Sequence, residues 1–160
     1  MTYTPTLSRR SALGLLAAVP VTLASPLVIR PAKAMAPETY AEDGVAIDGS
    51  DVMGYWLDGE PVMGSPDFTY DWKGATWQFA SVETRDMFIA DPERYAPAYG
   101  GHCAWAASRG YVAPTIPTAW TLYEERLFLN YSLGVQWRWR RNIPGNVAKG
   151  DENWPGLLAG

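Results

Sequence analysis

The residue types best suited to chemistry in this chain fall in one short run, Tyr99-Gly100-Gly101-His102-Cys103-Ala104. It contains the single histidine and the single cysteine of the 160-residue sequence, side by side. A thiolate and an imidazole suit Cu(I), Cu(II) or Zn(II), and a thioether from Met53 or Met63 would favour copper. Adjacent residues can grip one ion only where the backbone bends, and Gly100-Gly101 permits such a bend because glycine reaches angles closed to other residues. One Cys and one His leave a tetrahedral site two ligands short. Met53, an Asp or a second chain would have to complete it.

Two other readings of Cys103 compete with ligation. Beside alanines it can simply pack as a small apolar side chain. Near a helix start and next to an imidazole it can instead be a reactive thiol of lowered pKa, the basis of a thiol-dependent redox protein. No Cys-x-x-Cys motif accompanies it, so a disulfide cycle would need another protein. A single histidine excludes HExxH zinc proteases, and a single cysteine excludes an intrachain disulfide framework.

The elements that must position these residues begin after a distinct leader. Ser8-Arg9-Arg10 precedes an uncharged stretch from Ala12 to Ile29, and Ala32-Lys33-Ala34 forms an A-x-A site. Arginines ahead of the apolar run, prolines inside it and the A-x-A site point to a cleaved export signal rather than a membrane anchor. The start resembles a twin-arginine signal, so residues 1–34 are expected to be removed after Ala34 and the mature chain to be periplasmic or otherwise exported. From residue 35 the balance is nine bases against 17 acids. A chain that acidic is a poor partner for nucleic acid.

Residues 35–43, polar and proline-bearing, read as a flexible lead-in, and 44–158 as one domain. Phe68, Tyr70 and Trp72, then Trp77 and Phe79, alternate with polar residues around Lys73-Gly74, which predicts a hairpin. Ser81 should cap a helix burying Val82, Phe88 and Ile89 and stopping at Asp91-Pro92. The alanines after Cys103 read as a short helix. Trp120–Tyr123 and Leu127–Tyr131 predict a second hairpin, with an unusual Glu124-Glu125 turn. Val135, Trp137 and Trp139 fall in a helix or an extended segment, and a short final helix should stop at Trp154-Pro155.

Arg138, Arg140 and Arg141 interleave with tryptophans. They are expected to pair with the acidic front half, since residues 35–95 hold 13 acids and three bases. The same asymmetry is compatible with a homodimer or an acidic protein partner. Most of the eight tryptophans should fill the core.

Several of these segments, taken in order, resemble the YHS domain family in its exported single-domain branch. They are Ala46 to Trp56, Phe79-Ala80-Ser81, Asp91-Pro92-Glu93-Arg94-Tyr95-Ala96-Pro97, Tyr99 to Ala104, Leu127 to Tyr131 and Trp154-Pro155, together spanning about residues 42–157. The resemblance implies a small α+β domain of antiparallel hairpins packed with short helices, and a link to soft or transition metals. Where metal-binding relatives carry cysteines, this chain has Ala80, Thr84 or Arg85, and Met53-Gly54, so their cysteine-based site is missing.

The expectation is therefore an exported α+β domain that binds a soft metal, most plausibly copper, for sequestration or delivery. Cys103, His102 and Met53 would be its ligands, placed by the turn at Gly100 and Gly101. The alternatives are a metal-free periplasmic domain that binds a protein or a small ligand in an aromatic groove, and a redox protein using Cys103.

Overall fold

A computed structural model describes residues 35–159; the signal with Arg9 and Arg10, and the cleavage after Ala34, lie outside the described residues. Strand β1 (Ala41–Glu42) pairs antiparallel with β2 (Val45–Ala46), and a 3-10 turn at Ile47–Gly49 leads into β3 (Ser50–Asp51). Asp51 starts helix α1 (Met53–Leu57): its Oδ1 accepts the Met53 N–H at 2.9 Å, and its Oδ2 accepts the Ala80 N–H at 2.9 Å. One buried carboxylate thus satisfies the first N–H of a helix and ties it to the end of a distant strand. Strand β4 (Val62–Met63) then returns along β3.

The first predicted hairpin joins β5 (Ser65–Trp72) to β6 (Ala75–Phe79). Its turn residues Lys73 and Gly74 hold φ of 48° and 76°, the positive pair that matches the twist of two-residue hairpins. Strand β2 runs parallel to β6, which completes a sheet of order β1-β2-β6-β5.

Helix α2 (Val82–Ala90) packs on that sheet, with Ser81 and Thr84 forming a reciprocal capping box. Only Phe88 of its expected apolar face is buried; Val82 and Ile89 are each 40% exposed. The correction follows from helix geometry. Val82 and Ile89 are seven residues apart and share one stripe, while Phe88 points about 100° away from Ile89. The sheet contact is filled by that single ring, stacked on Trp77 at a centroid distance of 5.0 Å. Asp91 then caps α3 (Pro92–Tyr95), where proline occupies the first turn.

A 3-10 turn at Ala98–Gly101 precedes α4 (Ala104–Ala107). The second hairpin pairs β7 (Ile116–Tyr123) with β8 (Arg126–Asn130), and Glu124 and Glu125 adopt φ of 47° and 55°. Helix α5 (Leu133–Arg140) is capped by Ser132, and α6 (Ile143–Ala159) closes the described chain.

Two apolar clusters hold these elements, and β8 serves both. Leu127 and Leu129 join the cluster of Met53, Tyr55, Trp77, Phe79 and Phe88. Phe128, on the opposite face of the strand, joins Tyr99, Ala104, Ala107 and Trp139. This is why β8 reads as a nearly continuous apolar run rather than an alternating one.

The segment read as a lead-in carries hydrogen bonds to the domain: Ala36 N–H donates to the Leu157 carbonyl, Thr39 Oγ1 to the Lys73 carbonyl, and Tyr40 N–H to the Gly100 carbonyl. One further expectation is corrected. The final helix does not stop at Trp154-Pro155 but continues to Ala159. Proline only disfavours helix at and before itself. Here Leu157 is buried and its carbonyl is held by Ala36, so tertiary contacts outweigh that preference.

Candidate functional site

The corner carrying Gly100 to Cys103 is made by close backbone approach. Tyr99 and Gly100 hold φ of 57° and 59°, and a Cβ on Gly100 would lie 1.7 Å from the Glu38 carbonyl oxygen. Only glycine fits there. The Gly101 carbonyl accepts the Thr115 hydroxyl at 2.8 Å, which fixes the far side of the bend. The glycines do bring another segment of backbone against this turn, and the two side chains that follow leave it toward different neighbours.

His102 is 4% exposed, with its ring between Tyr40 and Trp154 at centroid distances of 5.9 and 5.7 Å. Its Nε2 lies 2.9 Å from the Pro37 carbonyl oxygen. A carbonyl can only accept, so Nε2 carries the hydrogen. Burial pushes the imidazole below its ordinary value of 6.5, and the Pro37 contact offsets this only in part. The ring is neutral at pH 7, and Nδ1 is its bare nitrogen.

Cys103 is 1% exposed. Its Sγ accepts the Tyr131 N–H at 3.3 Å and lies 3.8 Å from Asn130 Oδ1. The same amide oxygen accepts the Trp105 N–H at 3.3 Å, so Asn130 fixes the first turn of α4 as well as the thiol. Met53 is fully buried in the first cluster, its N–H on Asp51. The three predicted ligands are thus held by different partners: Pro37, Tyr40 and Trp154 for His102, Asn130 and Tyr131 for Cys103, the first core for Met53. Among the described residues no group of three or more His, Cys, Asp or Glu side chains is placed to hold a metal ion. Met63 is 68% exposed.

Beside this corner opens a cleft of about 300 Å³. Its apolar lining comes from Trp72, Pro97, Tyr99 and Trp154, and Gly100 contributes backbone. The charged lining is balanced, with Glu38, Glu93 and Glu125 against Lys73, Arg94 and Arg126. Most of it is already paired. Lys73 Nζ contacts Glu38 at 3.0 Å and Glu93 at 2.9 Å while lying 4.6 Å over the Trp72 ring. Arg126 makes a two-pronged contact with Asp151 at 3.0 and 2.9 Å, and that guanidinium holds the Asp151 carboxyl below its ordinary value. The Tyr99 hydroxyl donates to Asp151 Oδ1 at 2.9 Å; burial, then this carboxylate, pushes its pKa up, so it stays a neutral donor.

Sequence reasoning missed this cleft because its lining is assembled from five separate stretches of chain. The proline, tyrosine and glycine of the Pro97–Gly100 run were the one legible part. The expected pairing of Arg138, Arg140 and Arg141 with the acidic front half is corrected: among the described residues the ion pairs use Lys73, Arg85 and Arg126. Those three arginines sit on or just beyond the end of α5, and all three are exposed.

Comparison with known proteins adds no family to this picture: no family model matches the chain, and no curated protein or solved structure matches it significantly.

Proposed function

We propose that this chain is a binding domain rather than an enzyme, and that its ligand is a small molecule with a ring or short aliphatic body held in the cleft beside Gly100. The observation that carries this reading is the cleft's lining. Trp72, Tyr99 and Trp154 offer ring surface, while Lys73 and Arg126 are held by Glu38, Glu93 and Asp151 before any ligand arrives and Arg94, among the described residues, has no ion pair. The cleft combines ring surface with charged side chains that are mostly paired, and ~300 Å³ is the lower end of the range of small-molecule sites. Export to the periplasm and kinship with YHS domains belong to the same proposal; the resemblance of the Asp91–Ala104 run supports the second.

The soft-metal reading through Cys103, His102 and Met53 requires the thiol proton, and with it the Asn130 contact, to be given up, while His102 would ligate through Nδ1. One preparation decides between the two: the isotope-labelled chain, purified through its own export route and screened with aromatic and cyclic fragments bearing a single charge. Binding is expected to shift the Trp72 and Trp154 indole N–H signals and the Gly100 amide, and Ala98→Phe, which fills the cleft, should abolish those shifts. Absence of any such response overturns the ligand reading. One equivalent of copper per purified chain, lost in Cys103→Ser, establishes the metal reading in its place.

A further inference from the structure

Of the nine bases from residue 35 onward, four line one surface pocket of about 420 Å³, and none of the 17 acids does. They are Arg109, which follows α4, Arg138 and Arg141 at the end of α5, and Lys149 on α6. All four are exposed, and among the described residues none takes part in an ion pair. Trp105 and Trp137 complete the aromatic part of the lining. The Arg109 guanidinium lies 4.1 Å from the Trp105 ring centroid, and that of Arg141 lies 5.2 Å from the Trp137 centroid. Trp137 itself is 63% exposed.

A run of arginines near a helix end ordinarily complements the helix dipole and faces solvent. That account is weak here, because α5 ends at Arg140 and α6 begins at Ile143, so a negative and a positive helix end meet at the same place. Nor does it reach Arg109 or Lys149, which come from other elements. The two amides of the pocket are otherwise engaged: Asn142 Oδ1 accepts the Gly145 N–H at the start of α6, and Asn146 Nδ2 donates to the Trp139 carbonyl at 2.8 Å. What remains free is positive charge. A guanidinium resting on an indole face keeps its N–H edge outward and pre-set, the geometry that meets two oxygens of one oxyanion.

We propose that this pocket binds a compact polyanion with clustered phosphate or carboxylate oxygens. It is a site separate from the cleft beside Gly100, with which it shares no lining residue. The two guanidinium forks bracket the oxyanions, Arg138 and Lys149 supply further charge, and the indoles orient the forks. A volume of about 420 Å³ suits a small molecule rather than a chain of nucleotides. Because the cations are exposed, the attraction is screened over about 8–10 Å by physiological salt and binding should weaken as salt rises.

The test is titration of the exported chain with pyrophosphate and, separately, with citrate at low ionic strength, following tryptophan fluorescence and calorimetric heat. Saturable binding of either is expected, weakened at least tenfold in Arg138→Gln/Arg141→Gln. Arg141→Lys, which keeps the charge but loses the fork, should fall between. Arg85→Gln, on α2 and in the lining of neither site, should bind as the parent does. Preference for pyrophosphate over citrate identifies phosphate as the oxyanion, and the reverse identifies carboxylate. No saturable binding, or binding that ignores the double substitution, overturns the proposal. So does association confined to vesicles of anionic phospholipid, or to the acidic face of a second copy seen as self-association in sedimentation.

Discussion

The His102–Cys103 corner and the arginine–tryptophan pocket make opposite use of polar side chains. At the corner, the one imidazole and the one thiol are buried and each is tied to a specific backbone or amide partner. In the pocket, four cations are exposed, drawn together from three elements, and left without carboxylates. A buried polar group must find a partner inside the protein, since leaving it without one costs about 1–3 kcal/mol. So committed, this pair keeps one open donor, His102 Nδ1, on a residue that is 4% exposed. Surface cations carry no such obligation, and their convergence is informative because like charges separate unless something holds them together. Chemical type alone therefore pointed to the corner, whereas open valence points to the pocket.

The largest effect that would sharpen this contrast lies at Gly100. Replacing it by alanine puts a Cβ where the Glu38 carbonyl oxygen already is, at 1.7 Å, and does so at a φ of +59°. Gly100→Ala should lower unfolding free energy by more than ~3 kcal/mol in urea or thermal denaturation, through backbone displacement added to left-handed strain. Gly59→Ala is the matched control. Its φ is +71° with nothing within 4 Å of the new Cβ, so it bears only the conformational cost, about 1–2 kcal/mol. Equal losses at the two sites would mean that the corner is not held by close approach, and the comparison would fail.

Much of the scaffold around this corner was readable from local pattern. Period-2 aromatics marked the first hairpin, Ser81 marked the start of α2 and Asp91-Pro92 its stop, and Gly100-Gly101 announced close backbone contact. Even the strain at Glu124-Glu125 was visible, because a two-residue hairpin needs positive φ there whatever residues occupy it. What was not legible shares a physical cause. The hydrogen bonds of Ala36, Thr39 and Tyr40 use acceptors at Leu157, Lys73 and Gly100, and the continuation of α6 through Pro155 is supported by Ala36. Neither signal is local. The partners of His102 and Cys103 obey the same rule: each side chain answers to groups 27 to 65 residues away, which local pattern does not reveal.

A smaller effect comes from protonation of His102. Its pKa in the folded chain is lowered by burial, so between that value and the ordinary 6.5 the unfolded chain binds the extra proton. Stability is then full above about pH 6.5 and falls as the pH drops through and below it, with a slope of at most about 1.4 kcal/mol per pH unit for one proton. Denaturation midpoints from pH 8 to pH 5 should show this decline, and His102→Gln, which can keep a donor toward Pro37, should flatten it. An unchanged slope in the variant would mean that the imidazole is not the buried neutral group its surroundings require.

The smallest effect on stability belongs to the pocket, and its smallness is the point. Arg138 and Arg141 are exposed and make no ion pair among the described residues, so converting both to glutamine breaks no ion pair and removes only the exposed contact of Arg141 with the Trp137 ring. Surface changes of this kind stay within about 0.5 kcal/mol. Here the sign should be stabilising, since two of four converging positive charges disappear, and the gain should shrink when salt screens them. Thermal unfolding at low and high ionic strength reads both features. A loss well beyond 0.5 kcal/mol would show that these arginines are part of the packing of α5 on α6. The pocket would then be like the corner, a place where charge has been used to hold the protein together rather than kept free for something outside it.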